Sequence, residues 1–280
     1  MADLSPTIRQ RELGMRLREF RTAKGFTVED VARELLCSPT KISRAETGAR
    51  RATLRDVRDL CQLYGIDSET SAELMQLARE ARQSGWWTKY DDLRISPYIG
   101  MEQAASAITT FGMYYVPGLL QTEDYARAII KGIAPKIDED VLGQRVEARM
   151  MRQNLLSQPK PPRYRALVDE AVLHRHVGGP AVMKAQLDKV LSLTREERAA
   201  VQVIPYEVGA YGAIDSNFVY LELATTKLPD LVFVEGLSRE LYLERPEELE
   251  RYREALEYLR DQALNPRDSV KKIEEIRDGF

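Results

Sequence analysis

Between Thr27 and Arg51 the chain reads TVEDVARELLCSPTKISRAETGARR. Ser38-Pro39 within it is a helix start: a capping hydroxyl followed by a proline placed where its missing N–H costs nothing. On the helix that follows, Ile42 and Ala45 stand three apart and turn inward, which leaves Pro39, Thr40, Lys41, Ser43 and Arg44 outside. Hydroxyls, an ammonium and a guanidinium presented from one surface suit the donors and acceptors of base edges and the oxygens of phosphates. The chemistry implied is recognition in a groove of double-stranded DNA.

Residue sets that would support catalysis or metal binding lack their partners. His174 and His176 are two apart, which sends them to different sides of a helix, and no H-E-x-x-H spacing occurs. Gly178-Gly179-Pro180 lacks the Lys-Ser/Thr of a phosphate-cradling P-loop, and there is no G-x-S-x-G elbow. Asp169-Glu170 are adjacent carboxylates with neither a nucleophile nor a metal motif beside them. Cys37 and Cys61 fall at apolar positions and read as small buried hydrophobes. The expectation is a protein that is not an enzyme and holds no metal or cofactor.

Four more helices must hold the outward-facing one. Ser5-Pro6 starts the first, with Leu13, Leu17 and Phe20 on one face and Arg9, Arg11, Arg16, Arg18 and Arg21 mostly on the others, solvated or touching phosphate. Thr27 caps the second with Asp30 as capping-box partner, and Val28, Val31, Ala32, Leu35 and Leu36 form its buried face. Only Cys37 or so separates this helix from the third, which forces a steep crossing, and Gly48 stops the third. A fourth runs from Thr53 through Leu54, Val57, Leu60, Cys61 and Tyr64 to Gly65. The fifth runs from Asp67 or Ser68 through Leu74, Leu77 and Ala78 to about Gln83.

Charge divides along the same line. Residues 1–58 hold 13 Lys+Arg against 8 Asp+Glu, whereas the remainder holds 28 against 36, so a nucleic-acid surface belongs to the first part. No apolar run approaches the roughly 20 residues of a membrane span, and MADLSPTIRQREL has no apolar signal-peptide centre. A cytoplasmic protein with no membrane partner is expected.

The pattern T-V-E-D-V-A-R-E-L followed by S-P-T-K-I-S-R-A-E-T-G-A-R-R resembles the helix-turn-helix of the Xre family, the phage-repressor-like transcription regulators. The resemblance implies that the third helix reads the major groove through Ser38, Pro39, Thr40, Lys41, Ser43 and Arg44. It implies phosphate contacts for Thr27, Arg50 and Arg51. Val28 stands where many members have a Gln that touches phosphate, and Glu46 is expected to make an intradomain pair. A mildly basic head without that Gln should bind DNA weakly as a monomer.

After Gln83-Ser84-Gly85 breaks the helical periodicity, Trp86 and Trp87 are expected to wedge the joint between two domains. The organisation expected is a mainly α five-helix head over 1–84, a linker over 85–97 and an α+β domain over 98–280 that ends in helices. Helices are expected over 98–105, 122–131, 138–157 and 171–175 and from Gly178 through Leu191, with strands at 106–116, RYRALVD, VQVIPYE, NFVYLEL, DLVFVEG and ELYLE. Short connections between the later strands suggest an antiparallel sheet. In the last region, Leu249, Tyr252, Leu256, Leu259 and Ala263 step by three and four, suiting either the chain's own sheet or a dimer contact.

Y-Y-V-P-G-L-L-Q-T-E-D-Y-A-R-A at 114–128 and the later E-A-R-M-M-R-Q are similar to the C-terminal domain of an actinobacterial, WhiJ-like or antitoxin-like subgroup of Xre regulators. That similarity implies a transcription regulator, often accompanied by a small acidic partner protein. The expected function is a sequence-specific DNA-binding regulator, a homodimer controlled through its second domain. The alternatives are an adaptor or antitoxin-like protein that binds a small partner, and a sensor of a small-molecule effector.

Overall fold

Side-chain caps set the helix boundaries of the N-terminal part. In the computed structural model, which describes residues 5–90, 96–223, 227–236 and 239–280, the Ser5 hydroxyl accepts the Ile8 N–H and starts α1 (Pro6–Ala23). Thr27 and Asp30 form a reciprocal capping box at α2 (Val28–Glu34), Ser38 caps α3 (Pro39–Glu46), and Thr53 with Asp56 repeats the box at α4 (Leu54–Tyr64). Asp67 caps α5 (Ser68–Glu80). Each such cap contributes about 1 kcal/mol. The five helices enclose one core, in which Leu13 and Leu17 meet Val31, Ile42, Ala45, Val57, Leu60, Cys61, Tyr64 and Leu74.

Leu36 departs from the expected pattern. Instead of joining the buried face of α2 it is 94% exposed, at a φ of 50°. Because α2 ends at Glu34 and α3 begins at Pro39, the chain must reverse within a few residues, and Leu36 takes the left-handed conformation that permits it. That conformation turns the side chain outward, and for an L-residue with a β-carbon it costs about 1–2 kcal/mol.

The chain clusters into two units, and among the described residues the first comprises 5–89, 96–104 and 227–228. The sequence reading placed 98–104 in the second domain. Here α6 (Ser96–Glu102) packs on α1, and the Ser5 hydroxyl donates to the Gly100 carbonyl. Trp87, expected at an interdomain joint, is buried within this first unit, edge-on to Trp86 and so close to Gly100 that a β-carbon there would lie 3.0 Å from its ring. Positions 91–95 of the expected linker lie outside the described residues.

The second unit is built on a six-stranded sheet of β1 (Ala105–Gly112), β2 (Arg163–Asp169), β3 (Ala200–Ile204), β4 (Phe218–Leu223), β5 (Leu231–Glu235) and β6 (Glu240–Leu243). Its order is β3-β2-β1-β4-β5-β6. The antiparallel expectation holds only for β1-β4-β5-β6; β1 pairs β2 and β2 pairs β3 in parallel. The cause is the connections: α7 (Glu123–Ile133) and α8 (Glu139–Gln153) lie between β1 and β2. Between β2 and β3 lie the short α9 (Ala171–His174) and α10 (Pro180–Arg195). Helical crossovers return the chain in the same direction, whereas short links reverse it.

Two helices, α11 (Pro246–Gln262) and α12 (Pro266–Asp278), end the chain's second unit. The seam of Leu249, Tyr252, Leu256, Leu259 and Ala263 is spent on the chain's own sheet, against a cluster that includes Phe111, Leu167, Phe218 and Val232. Among the described residues no helix is long and apolar enough to cross a membrane.

Replacing Leu36 with glycine should relieve the left-handed strain without sacrificing a buried contact. Leu36→Gly is expected to raise the stability of the head by up to about 1 kcal/mol, after the extra freedom of glycine in the unfolded chain is set against the strain. Denaturant unfolding followed by circular dichroism measures this, and a clear loss of stability would mean that the exposed leucine has a packing role.

Candidate DNA interface

The outward face of α3 is set by how its C-terminal end meets α1. Arg21 leaves α1 one turn after Leu17, on the apolar side, and is buried. Its Nε donates to Glu46 Oε1 at 2.7 Å, a second guanidinium nitrogen donates to Glu46 Oε2 at 3.0 Å, and the third donates to the Phe26 carbonyl at 2.7 Å. The hydrogen bond to Glu46 raises the Arg21 pKa above its ordinary value, against the opposing pull of burial. Gln10 adds a bond from its side-chain amide to the Gly48 carbonyl, just past α3. Glu46 is thus the intradomain pair that the sequence suggested.

Gly14 makes this approach possible. A β-carbon at that position would stand 2.5 Å from the Glu46 carbonyl oxygen and 2.6 Å from that of Ala45. A glycine in a helix interior ordinarily costs about 1 kcal/mol relative to alanine, and here the missing side chain admits the end of α3. Neither Gly14 nor Gln10 was singled out from the sequence; a lone glycine inside an otherwise regular amphipathic helix was the available signal.

With α3 so placed, Ile42 and Ala45 are buried, and Ser38, Pro39, Thr40, Ser43 and Arg44 are exposed. Thr27, Arg50 and Arg51 are exposed as well. The Thr27 hydroxyl is committed to its capping box, accepting the Asp30 N–H at 3.1 Å and donating to the Asp30 carboxylate at 2.6 Å. Ser38 Oγ accepts the Lys41 N–H at 3.2 Å. Lys41 is half-buried, and its ammonium is ion-paired with Asp56 Oδ1. Burial would raise the Asp56 carboxyl, but bonds from Lys41 and from Thr53 outweigh it and hold the pKa below its ordinary value.

Three arginines of α1 and three beside α3 differ in their partners. On α1, Arg9 pairs with Glu80 at 2.8 Å, Arg16 with Glu73 at 2.9 Å and Arg21 with Glu46, so these are cross-braces within the helical head. By contrast Arg44, Arg50 and Arg51 are exposed, and among the described residues no carboxylate pairs with them. Guanidiniums left uncommitted beside an exposed run of hydroxyls form a surface able to accept phosphates and base edges.

The remaining chemistry-bearing residues are dispersed. His174 bonds Glu170 at 3.2 Å and stacks on Tyr206, whereas His176 lies against Phe280. Among the described residues no three His, Cys, Asp or Glu side chains gather as a metal site. Cys61 is buried and Cys37 half-buried at the core of the head.

Residues 12–74 match the family model of a helix-turn-helix domain, and residues 95–275 match that of a domain of unknown function (DUF5753). No curated protein and no solved structure matches the chain. The helix-turn-helix match suggests a DNA-binding regulator. The longer match covers more than half of the sequence, and the chain belongs to the DUF5753 family.

Gly14→Ala tests the placement of α3. The added methyl meets backbone oxygens that cannot swing aside, so the helices must separate, at about 1–3 kcal/mol despite alanine's better helix propensity. Thermal melting of the variant should fall by several degrees; an unchanged melting curve would show that the α1–α3 approach is not tightly constrained.

Proposed function

We propose that this member of the DUF5753 family is a sequence-specific transcription regulator of the Xre type that binds DNA as a homodimer. Helix α3 enters the major groove. Thr40, Ser43 and Arg44 face base edges, with Pro39 and the exposed Ser38 at the groove-side N-terminus, and Thr27, Arg50 and Arg51 meet the flanking phosphates. Lys41 joins the reader by exchanging Asp56 for a phosphate or base acceptor, a swap that replaces one charge-assisted bond with another. Two heads would read half-sites about 34–36 Å apart on a pseudo-palindrome. The regulator is cytoplasmic and non-enzymatic, close to the WhiJ-like group of actinobacterial proteins, and its second domain carries the dimer contact and the control of binding.

One observation carries this reading: Arg44, Arg50 and Arg51 are exposed and uncommitted on the α3 side, while Arg9, Arg16 and Arg21 of α1 are paired with carboxylates.

Gel-shift titration on the DNA upstream of its own coding region, across a salt series, tests it. Arg44→Ala together with Lys41→Ala should cost about 10-fold or more and relax sequence preference, since a good bidentate base contact is worth about 1–3 kcal/mol. Arg51→Ala should instead weaken all sequences alike and lower the magnitude of the salt slope by about one. Unchanged affinity in the double variant would sink the assignment of α3 as the reader.

A further inference from the structure

The segment between β1 and α7 is wired to α8 and α10 by amide side chains. Gln121, fully buried, donates to the Val116 carbonyl at 2.6 Å. Gln153 donates to the carbonyls of Gly118 at 2.9 Å and Gln121 at 2.8 Å, and Gln186 donates to that of Leu120 at 2.7 Å. Into this neutral network the chain inserts two cations. Lys189 donates to the Gln121 carbonyl at 2.7 Å and to Gln153 Oε1 at 2.6 Å, and Arg149 donates to Gln121 Oε1 at 2.9 Å.

Among the described residues neither cation has a carboxylate at ion-pairing distance; their hydrogen-bond partners are neutral oxygens. Arg145, Arg149 and Arg152 stand four and three apart and share one side of α8. The pKa of Arg149 is pushed down by burial first and then by Arg152 and Arg145, with Tyr115 and Glu235 in partial opposition; burial alone lowers that of Lys189. A lysine so placed can shed its proton, but a guanidinium cannot. Arg149 is half-buried, its direct partner is a neutral oxygen and Glu235 acts on it only beyond ion-pairing distance, while its fork of donors matches a carboxylate or phosphate.

We propose that the Arg149 side of α8, bordered by Tyr115 and Lys189, is the binding site for a small ligand bearing an oxyanion, either a carboxylate or a phosphate. The ligand's charge completes the network around Gln121 and couples α8 and α10 to the segment between β1 and α7. The site lies within the C-terminal unit and does not depend on the DNA-binding reading.

The test is thermal melting of the full chain in sodium chloride, inorganic phosphate or citrate at matched ionic strength, for the wild type, Arg149→Met and Arg149→Lys. Expected is a saturable rise in the wild-type melting temperature with phosphate or with citrate, and which of the two works distinguishes the source of the oxyanion. The rise should vanish in Arg149→Met, which removes the fork. Arg149→Lys keeps the charge but loses the fork, and should lose most of the response even if the methionine variant folds poorly. No rise with either anion, or an equal rise in the Arg149→Met or Arg149→Lys variant, overturns the proposal.

Discussion

The exposed face of α3 depends on one buried ion pair. Arg21 and Glu46 join the last turn of α1 to the last turn of α3, and the same guanidinium also donates to the Phe26 carbonyl before α2. Two charges taken out of water recover little net stability from each other, yet removal of one strands the other at a cost of about 3–5 kcal/mol. The effect of the pair is therefore geometric. It fixes the roll of α3 about its axis, with Ile42 and Ala45 in and Thr40, Ser43 and Arg44 out.

Much of the head was legible because its determinants are local. Ser5, Thr27, Ser38 and Thr53 each cap, within three residues of themselves, the helix that the pattern assigned to them, and of the two candidates Asp67 and Ser68 it is Asp67 that caps the fifth. The partners of Arg9, Arg16 and Lys41 were not legible, because Glu80, Glu73 and Asp56 come from other helices and only folding brings them near. Leu36 was misplaced for a related reason: hydrophobicity marks a residue as fit for the core, but the short turn imposes a backbone conformation that overrides it. In the second unit each strand was found, while the parallel half of the sheet was missed because strand direction follows from the connections.

The two units use polar groups in opposite ways. In the head, the ion pairs hold helices together and leave a few cations facing outward. In the second unit, Gln121, Gln153 and Gln186 hold backbone carbonyls through neutral amides, and the cations of α8 and α10 are gathered among them. The acidic excess of the second part is thus a whole-domain balance that does not describe this local neighbourhood.

Strand β1 sits at the centre of the sheet, with Ala107 paired to Arg163 on one side and Glu222 on the other. Neither edge of that strand can be satisfied until the chain has been made well past its midpoint, whereas the shared core of the five head helices is drawn from residues 13–78. Loop closure across such spans slows folding, and domains fold as units as the chain emerges. During synthesis, the five-helix core can form while β1 still waits for its neighbours, so a nascent chain exposes the face of α3 before the sheet of the second unit exists.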